Sequence, residues 1–209
     1  MGRETRAMQD DEVTGPARLW LLDGEALWNQ SCRSCHGDVS SMKGVATRYP
    51  AVIKGKLSNL EQRINDHRAK PLAYESPQLL ALTAYVARQS RGMPIAVEIN
   101  EETRPFFEAG RGLFNRRQGQ LNLACSQCHD DNWGKKLSGS TIPQAHPTGY
   151  PLYRLEWQGM GSLQRRLRNC FIGVRAEPYA YGAQEFVNLE LYLMWRARGM
   201  ALETPAVRP

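Results

Sequence analysis

The chain has 209 residues, 42% of them hydrophobic, a length that suits one large domain or two small domains of roughly 100 residues each. Its 27 basic and 21 acidic residues give a net charge of +6, an excess that attracts acidic proteins or small anions. The basic residues are spread along the chain without interleaved aromatic side chains, which argues against a nucleic-acid-binding protein.

The first residues, 1–13, contain neither the charged nor the apolar region of an export signal. No stretch of the chain reaches the roughly 18 consecutive apolar residues that a membrane span requires. We therefore expect a protein without a membrane span, from which any export signal has been removed.

Two copies of the motif Cys-x-x-Cys-His, at residues 32–36 and 125–129, account for four of the five cysteines. Zinc sites and thiol–disulfide centres also use Cys-x-x-Cys, but neither explains a histidine directly after each second cysteine. In c-type cytochromes, the two thiols form thioethers to the haem while the adjacent imidazole binds the iron. We therefore predict two covalently bound haem c groups. The attachment residues are Cys32, Cys35, Cys125 and Cys128, and the proximal ligands are His36 and His129.

The segments around the two motifs also recur. Residues 24–28 precede the first motif as residues 110–114 precede the second, and residues 60–67 match residues 163–170. Each half then closes with an apolar stripe at helical spacing and ends in Arg-Gly-Met. We therefore expect each half to contain a helix before the motif, a middle helix or turn, and a closing helix.

This repeat predicts an all-α fold with two tandem cytochrome c-type haem domains, residues 1–98 and 99–209. The glycine of Arg-Gly-Met suits a helix end, and Pro94 prevents continuation of the first closing helix, so the boundary falls near residues 94–103. Residues 130–160 are rich in Gly, Pro, Ser and Thr and are expected to form a loop over the second haem.

Each half offers two candidates for the distal ligand of its iron. Met93 and Met200 recur, but they stand beside glycine at helix ends, where a methionine often only packs. His67 and Cys170 also hold the same place in the repeat, and both are good iron ligands. We expect His67 to bind the first iron and Cys170 the second. His146 has no counterpart in the first half and is expected to be structural.

Cys170 is the unpaired fifth cysteine, and a free cysteine is most often a buried, unreactive thiol. Its neighbours Arg166, Arg168 and Arg175 argue against this interpretation, because nearby cations stabilise a thiolate. A thiolate ligand lowers the reduction potential of a haem, which suits a catalytic haem more than a simple electron carrier.

Residues 170–175, followed by residues 185–192, resemble the C-terminal signature of the SoxA family. The resemblance continues through residues 42–50, 90–94 and 119–123 and covers nearly all of the chain from about residue 20 onward. The SoxA family comprises the catalytic cytochrome subunits of the periplasmic thiosulfate-oxidising system.

The resemblance implies an L-cysteine S-thiosulfotransferase, which joins thiosulfate oxidatively to a cysteine of the SoxYZ carrier protein. It also implies a periplasmic heterodimer with SoxX, a monohaem cytochrome that accepts the electrons. Cys170 matches the active-site cysteine, which binds the second haem and can carry a persulfide, and Arg166 matches the substrate-binding arginine. Because thiosulfate is a dianion, we also expect Arg175 and Arg196 to contribute to its binding.

One position departs from the family pattern. Two-haem members usually have a cysteine as the distal ligand of the first haem, and this chain has His67 there. We therefore predict a bis-histidine first haem, with a higher potential than is usual in the family and a structural or vestigial role. Two alternative functions are a thiosulfate dehydrogenase that forms tetrathionate and a non-catalytic dihaem electron-transfer cytochrome.

Overall fold

The computed structural model describes residues 2–137 and 139–209. About 46% of the residues are helical and 11% lie in strands, so the fold is mixed α/β. The all-α prediction was therefore wrong. The prediction missed the strands because each has only two or three residues, too few to show an alternation of apolar and polar residues in the sequence.

The helices of the described residues are α1 (Arg3–Asp10), α2 (Arg18–Ser31), α3 (Arg33–His36), α4 (Leu60–Asp66), α5 (Pro77–Arg88), α6 (Arg104–Asn115), α7 (Cys125–His129), α8 (Leu163–Gly173) and α9 (Gln184–Arg196). The strands are β1 (Ala51–Ile53), β2 (Lys56–Ser58), β3 (Lys136–Leu137), β4 (Ser140–Thr141), β5 (Leu152–Arg154), β6 (Gly159–Gly161) and β7 (Val207–Arg208). Among these described helices, none is both long and apolar enough to cross a membrane.

Both halves present the same elements in the same order. The first half runs through α2, the β1–β2 hairpin, α4 and α5, and the second through α6, the β5–β6 hairpin, α8 and α9. Asn59 and Ser162 cap the N-termini of α4 and α8, each accepting a hydrogen bond from the backbone N–H three residues later. The predicted helix before each motif, middle helix and closing helix are thus confirmed.

Residues 130–160 contain β3, β4, β5 and the start of β6, so the prediction of a loop was wrong there. β5 lies between β6, its antiparallel neighbour, and β7, which pairs with it in parallel from the C-terminus. Pairing with a segment so distant in sequence leaves no local pattern of the kind that composition or periodicity can detect.

Two glycines allow the helix before each motif to approach the closing helix of the same half, α2 to α5 and α6 to α9. A Cβ atom at Gly24 of α2 would lie 2.3 Å from the backbone oxygen of Ala81 in α5. One at Gly110 of α6 would lie 2.1 Å from the backbone oxygen of Asn188 in α9. Both distances are far below van der Waals contact, so both helix crossings require a residue without a side chain.

The two Arg-Gly-Met segments pair with each other across the molecule. The Ile95 N–H donates to the carbonyl of Met200 and the Leu202 N–H to the carbonyl of Met93, each at 2.9 Å. The two glycines have φ angles of +81° and +83°, in the left-handed region that favours glycine. Backbone pairing between the halves therefore accounts for the recurrence of this tripeptide.

The largest hydrophobic cluster takes side chains from both halves. Leu57 and Ala87 of the first half join Phe114, Phe186 and Leu189 of the second in one buried group. A shared core means that the halves pack as neighbours across an apolar interface. The division into domains 1–98 and 99–209 stays a prediction.

We expect the substitution Gly24→Ala to destabilise the protein by about 1 to 3 kcal/mol, since an added Cβ must displace backbone rather than a flexible side chain. Denaturant unfolding of the haem-loaded protein, followed by far-UV circular dichroism, measures this loss. Gly112→Ala is the matched control, because a Cβ there meets nothing within 4 Å. Equal stability of the two variants would show that the helix crossing tolerates a side chain.

Candidate functional site

The first Cys-x-x-Cys-His motif lies where α2 ends and α3 begins. Cys32 ends α2, and its N–H donates to the carbonyl of Trp28 at 2.9 Å. The Trp28 ring lies 5.9 Å from that of His36, and its Nε1 donates to the Gly37 carbonyl at 3.2 Å. These contacts bring Cys32, Cys35 and His36 to one cavity.

This cavity has a volume of about 300 Å³. Apolar side chains such as those of Met42, Leu82 and Val86 line it, together with the two thiols and the imidazole of the motif. An apolar cleft with two thiols and an imidazole has the donor set that a covalently bound haem c needs. The residues present therefore fit a haem at the first motif.

His67 faces His36 across the same cavity. The ring centroids are 5.7 Å apart and the ring planes lie at 77°. Imidazoles on opposite sides of one metal ion have centroids roughly 6 Å apart, since each coordinating nitrogen lies about 2 Å from the metal. His67 Nδ1 is 2.7 Å from the carbonyl oxygen of Arg63, a contact that orients the ring and leaves Nε2 available.

The second motif forms α7, beside Phe114 of α6. The ring centroids of Phe114 and His129 lie 6.5 Å apart, as Trp28 lies beside the first histidine. His129 Nδ1 is 2.7 Å from the carbonyl oxygen of Pro143, and burial lowers the pKa of His129. An oriented, neutral imidazole is the form that binds iron.

Cys170 lies on α8, close to the cysteines of the second motif. Burial, followed by the negative charge of Cys170, raises the pKa of Cys125 to about 12. The charge of Cys128 adds to the rise in the pKa of Cys170, so these thiols lie close enough to interact electrostatically. Burial is the main cause that raises the pKa of Cys170, while the guanidinium groups of Arg166 and Arg154 oppose the rise. The net pKa of Cys170 is raised, because burial outweighs the attraction of the two guanidinium groups.

The structure does not bring all the arginines near Cys170 in sequence to its sulfur. Arg168 directs its guanidinium group to the carbonyl of Tyr179 and lies 4.7 Å from the ring centre of Tyr181. Arg175 is exposed just beyond the end of α8. The expectation that sequence neighbours as a group stabilise the thiolate was wrong, because helical geometry points them in different directions.

Arg196, at the end of α9, contacts the second motif from another side. Its Nη2 donates to Asp130 Oδ1 at 2.6 Å and to the Gln144 carbonyl at 3.3 Å, and its guanidinium group lies 4.7 Å from the ring centre of Phe114. The Arg196 Nε is buried without a partner among the described residues, which leaves one donor for a ligand. Burial and the charge of Arg196 lower the pKa of His146 nearby.

Tyr150 and Arg154 belong to this region and were missed by sequence reasoning. Tyr150 is half-buried, and this burial raises its pKa to about 12, with a further contribution from the charge of Cys170. Arg154 lies on β5, where its Nε donates to Glu156 Oε2 at 2.8 Å. Tyr49-Pro50 precedes the hairpin of the first half and Tyr150-Pro151 the hairpin of the second. Aligning the two halves at this pair would have predicted that residues 150–154 belong to the site.

Comparison with known proteins agrees with this geometry. The family described as SoxA/TsdA, cytochrome c domain, matches residues 23–95 and 109–202. The L-cysteine S-thiosulfotransferase subunit SoxA of Pseudaminobacter salicylatoxidans is 36% identical, covering 98% of this chain and 77% of the relative. The corresponding subunit of Paracoccus pantotrophus is 32% identical over 98% of this chain and 75% of the relative.

The crystal structure of SoxXA from P. pantotrophus superposes with a TM-score of 0.95 and 31% identity, covering 100% of this chain and 84% of the other. The resemblance predicted from the sequence is thereby confirmed. Long matches on both sides of the repeat, together with residues that fit haem attachment, show that this chain belongs to the SoxA/TsdA family of cytochrome c proteins, which bind haem c covalently.

Proposed function

We propose that this chain catalyses the haem-dependent oxidative conjugation of thiosulfate to a cysteine of a SoxYZ-type carrier protein, as an L-cysteine S-thiosulfotransferase. The observation that carries the proposal is the position of Cys170, half-buried near the cysteines of the second motif and one helical turn after Arg166. The relatives that match nearly the whole chain bear this enzyme name.

We assign two haem c groups to the chain. The first is attached through Cys32 and Cys35, with His36 and His67 as iron ligands; the second is attached through Cys125 and Cys128, with His129 and Cys170 as iron ligands. The 5.7 Å separation of the two rings supports the first pair, and the proximity of the three sulfur atoms supports the second. Each haem supplies a one-electron acceptor when bound.

The reaction joins the sulfane sulfur of thiosulfate to the sulfur of a carrier thiol. One S–S bond forms, the thiol loses its proton, and two electrons leave, so atoms and charge balance with an electron acceptor. Arg166 is suited to bind the thiosulfate dianion, because its guanidinium presents parallel N–H donors to anionic oxygens. Cys170, half-buried one helical turn after Arg166, holds its sulfur next to that anion site.

A SoxX-type monohaem cytochrome is the proposed electron acceptor and heterodimer partner. The structure of similar fold is a SoxXA complex, which supports a partner of this kind. The family consists of extracytoplasmic cytochrome c proteins, and we place this chain in the periplasm.

Thiosulfate dehydrogenation to tetrathionate is the second candidate, since the matching family covers both SoxA and TsdA. The location of Cys170 in the second half and the near full-length likeness to SoxA subunits favour the carrier reaction. Mass analysis of the carrier and assay of tetrathionate in the same reaction mixture separate the two products.

Replacing Cys170 with Ser should lower the rate of carrier conjugation by roughly 10²-fold or more, because the hydroxyl can neither replace the thiolate ligand nor carry sulfur. Intact mass should still show both haems, since other cysteines attach them. The exposed neighbour Asn169 offers the control variant Asn169→Ser, which should retain activity. Full activity of Cys170→Ser would refute the assigned role.

Removal of the Arg166 side chain tests the anion site. A charge-assisted hydrogen bond contributes about 1.5 to 3 kcal/mol, so Arg166→Ala should raise the KM for thiosulfate about 10- to 100-fold. Steady-state kinetics with carrier in excess give this constant. The exposed Arg175 should matter less, and an unchanged KM in Arg166→Ala would contradict the assignment.

His67→Ala should convert the first haem from low spin to high spin, because one of its two imidazole ligands is removed. His67→Met should instead raise the reduction potential of this haem, since a thioether favours the ferrous state. Electron paramagnetic resonance and a spectroscopic redox titration record the two effects, with His146→Ala as the control. A first haem that keeps its low-spin signal in His67→Ala would exclude ligation by His67.

A further inference from the structure

A second cavity, of about 70 Å³, lies between the two halves. Matching positions of the repeat meet in its wall, namely Tyr49 with Tyr150, Leu60 with Leu163, and Glu61 with Gln164. Tyr49 and Leu60 also line the cavity of the first motif. The cavity between the halves therefore adjoins the cavity of the first motif.

A buried carboxylate anchors one side of this cavity. Glu190 of α9 accepts hydrogen bonds from the Asn59 side-chain amide at 3.0 and 3.2 Å and from the Gln164 side-chain amide at 2.6 Å. Asn59 caps α4 and Gln164 lies in α8, so one carboxylate joins both halves. Burial raises the pKa of Glu190 to about 7, although both amides favour the ionised form.

Two further polar groups line the cavity, and one of them, the Thr83 hydroxyl, has no hydrogen-bond partner among the described residues. The Thr83 side chain is 2% exposed, and its hydroxyl oxygen has no partner. Glu61 is 7% exposed and lines the same cavity. Unpaired polar groups are costly when buried, and a buried water needs only roughly 10 to 15 Å³ of such space.

We propose that this cavity is a buried water and proton site, in which ordered water joins the Glu61 carboxyl group, the Thr83 hydroxyl and the Glu190 carboxylate, and a proton is bound between the two glutamates. A few water molecules fit the volume and satisfy the three groups together. The site lies on both halves, so its protonation state acts on their contact. It is independent of the proposed thiosulfate chemistry.

The charges around the site favour bound protons. Burial, followed by the negative charges of Glu190 and Glu75, raises the pKa of Glu61 well above its ordinary value. Glu75 itself accepts a hydrogen bond from the Ser162 N–H at 3.3 Å, and burial raises its pKa. The other titratable or charged groups that face this region are Tyr49, Tyr74, Tyr150, Arg63, Asp66 and Arg165.

The consequence is a dependence of stability on pH. Glu190 is neutral in both the folded and the unfolded chain well below pH 4.5, the ordinary value of its pKa. As the pH rises from 4.5 through about 7, the unfolded chain ionises first, so the folded state loses stability, and the loss is complete above that range. Glu190→Gln removes this titration.

Infrared spectroscopy of the haem-loaded protein tests the bound proton directly. The proposal expects a carbonyl band of a protonated carboxylic acid at neutral pH, shifted in D₂O, weakened in Glu61→Gln and in Glu190→Gln, and retained in Glu185→Gln, an exposed control on α9. A wild-type protein without this band would overturn the proposal without any variant. So would a band that persists unchanged in Glu61→Gln.

Thermal unfolding of Thr83→Val distinguishes a wet cavity from a dry one. Water held in the cavity loses a partner in this variant, so the melting temperature should fall. In a dry cavity, removal of an unpaired hydroxyl would raise it, which would overturn the proposal. A cation bound in stoichiometric amount, lost in Glu61→Gln and detected by elemental analysis, would also overturn it.

Discussion

The close approach of the helix before each motif to the closing helix of the same half is the constraint on which the rest of the structure depends. Gly24 lets α2 touch the backbone of α5, and this contact places Trp28 one turn later and Cys32 two turns later on the wall of the first cavity. Gly110 brings α6 against α9 in the same way, with Phe114 one turn later beside the second motif. A backbone contact thus positions groups that must meet a large planar cofactor.

The same scaffold presents different chemistry in its two halves. A polar residue caps α4 and α8 at matching points of the repeat. Counted from the first residue of each helix, the eighth residue is His67 in the first half and Cys170 in the second. His67 is oriented by a backbone carbonyl and faces another imidazole, an environment suited to a stable iron centre. Cys170 instead lies among sulfur atoms and arginines, which suits sulfur chemistry. Divergence at one position of the repeat therefore gives the two halves different candidate iron ligands.

The second half departs from the repeat through the longer segment between its motif and α8. The additional chain includes the β3–β4 hairpin, and β5 is stabilised by pairing with the C-terminal β7. This pairing holds Tyr150 and Arg154 near Cys170, whereas the first half has a simple hairpin. Tyr150 and Arg154 belong to the hairpin that matches β1–β2, so the second half is distinguished here by the parallel pairing with β7 rather than by an unmatched segment.

The sequence by itself determined the two Cys-x-x-Cys-His motifs, the order of the main helices and the matched places of His67 and Cys170, because these features depend on residues close together in the chain. Tertiary structure alone decided the strands, which are held by distant partners, and the directions of the arginines, since α8 turns Arg168 away from Cys170 while β5 brings Arg154 towards it. It also decided the meaning of Arg-Gly-Met, which recurs because its two copies hydrogen-bond to each other. Local spacing cannot encode such contacts, because they form only when both halves fold against each other.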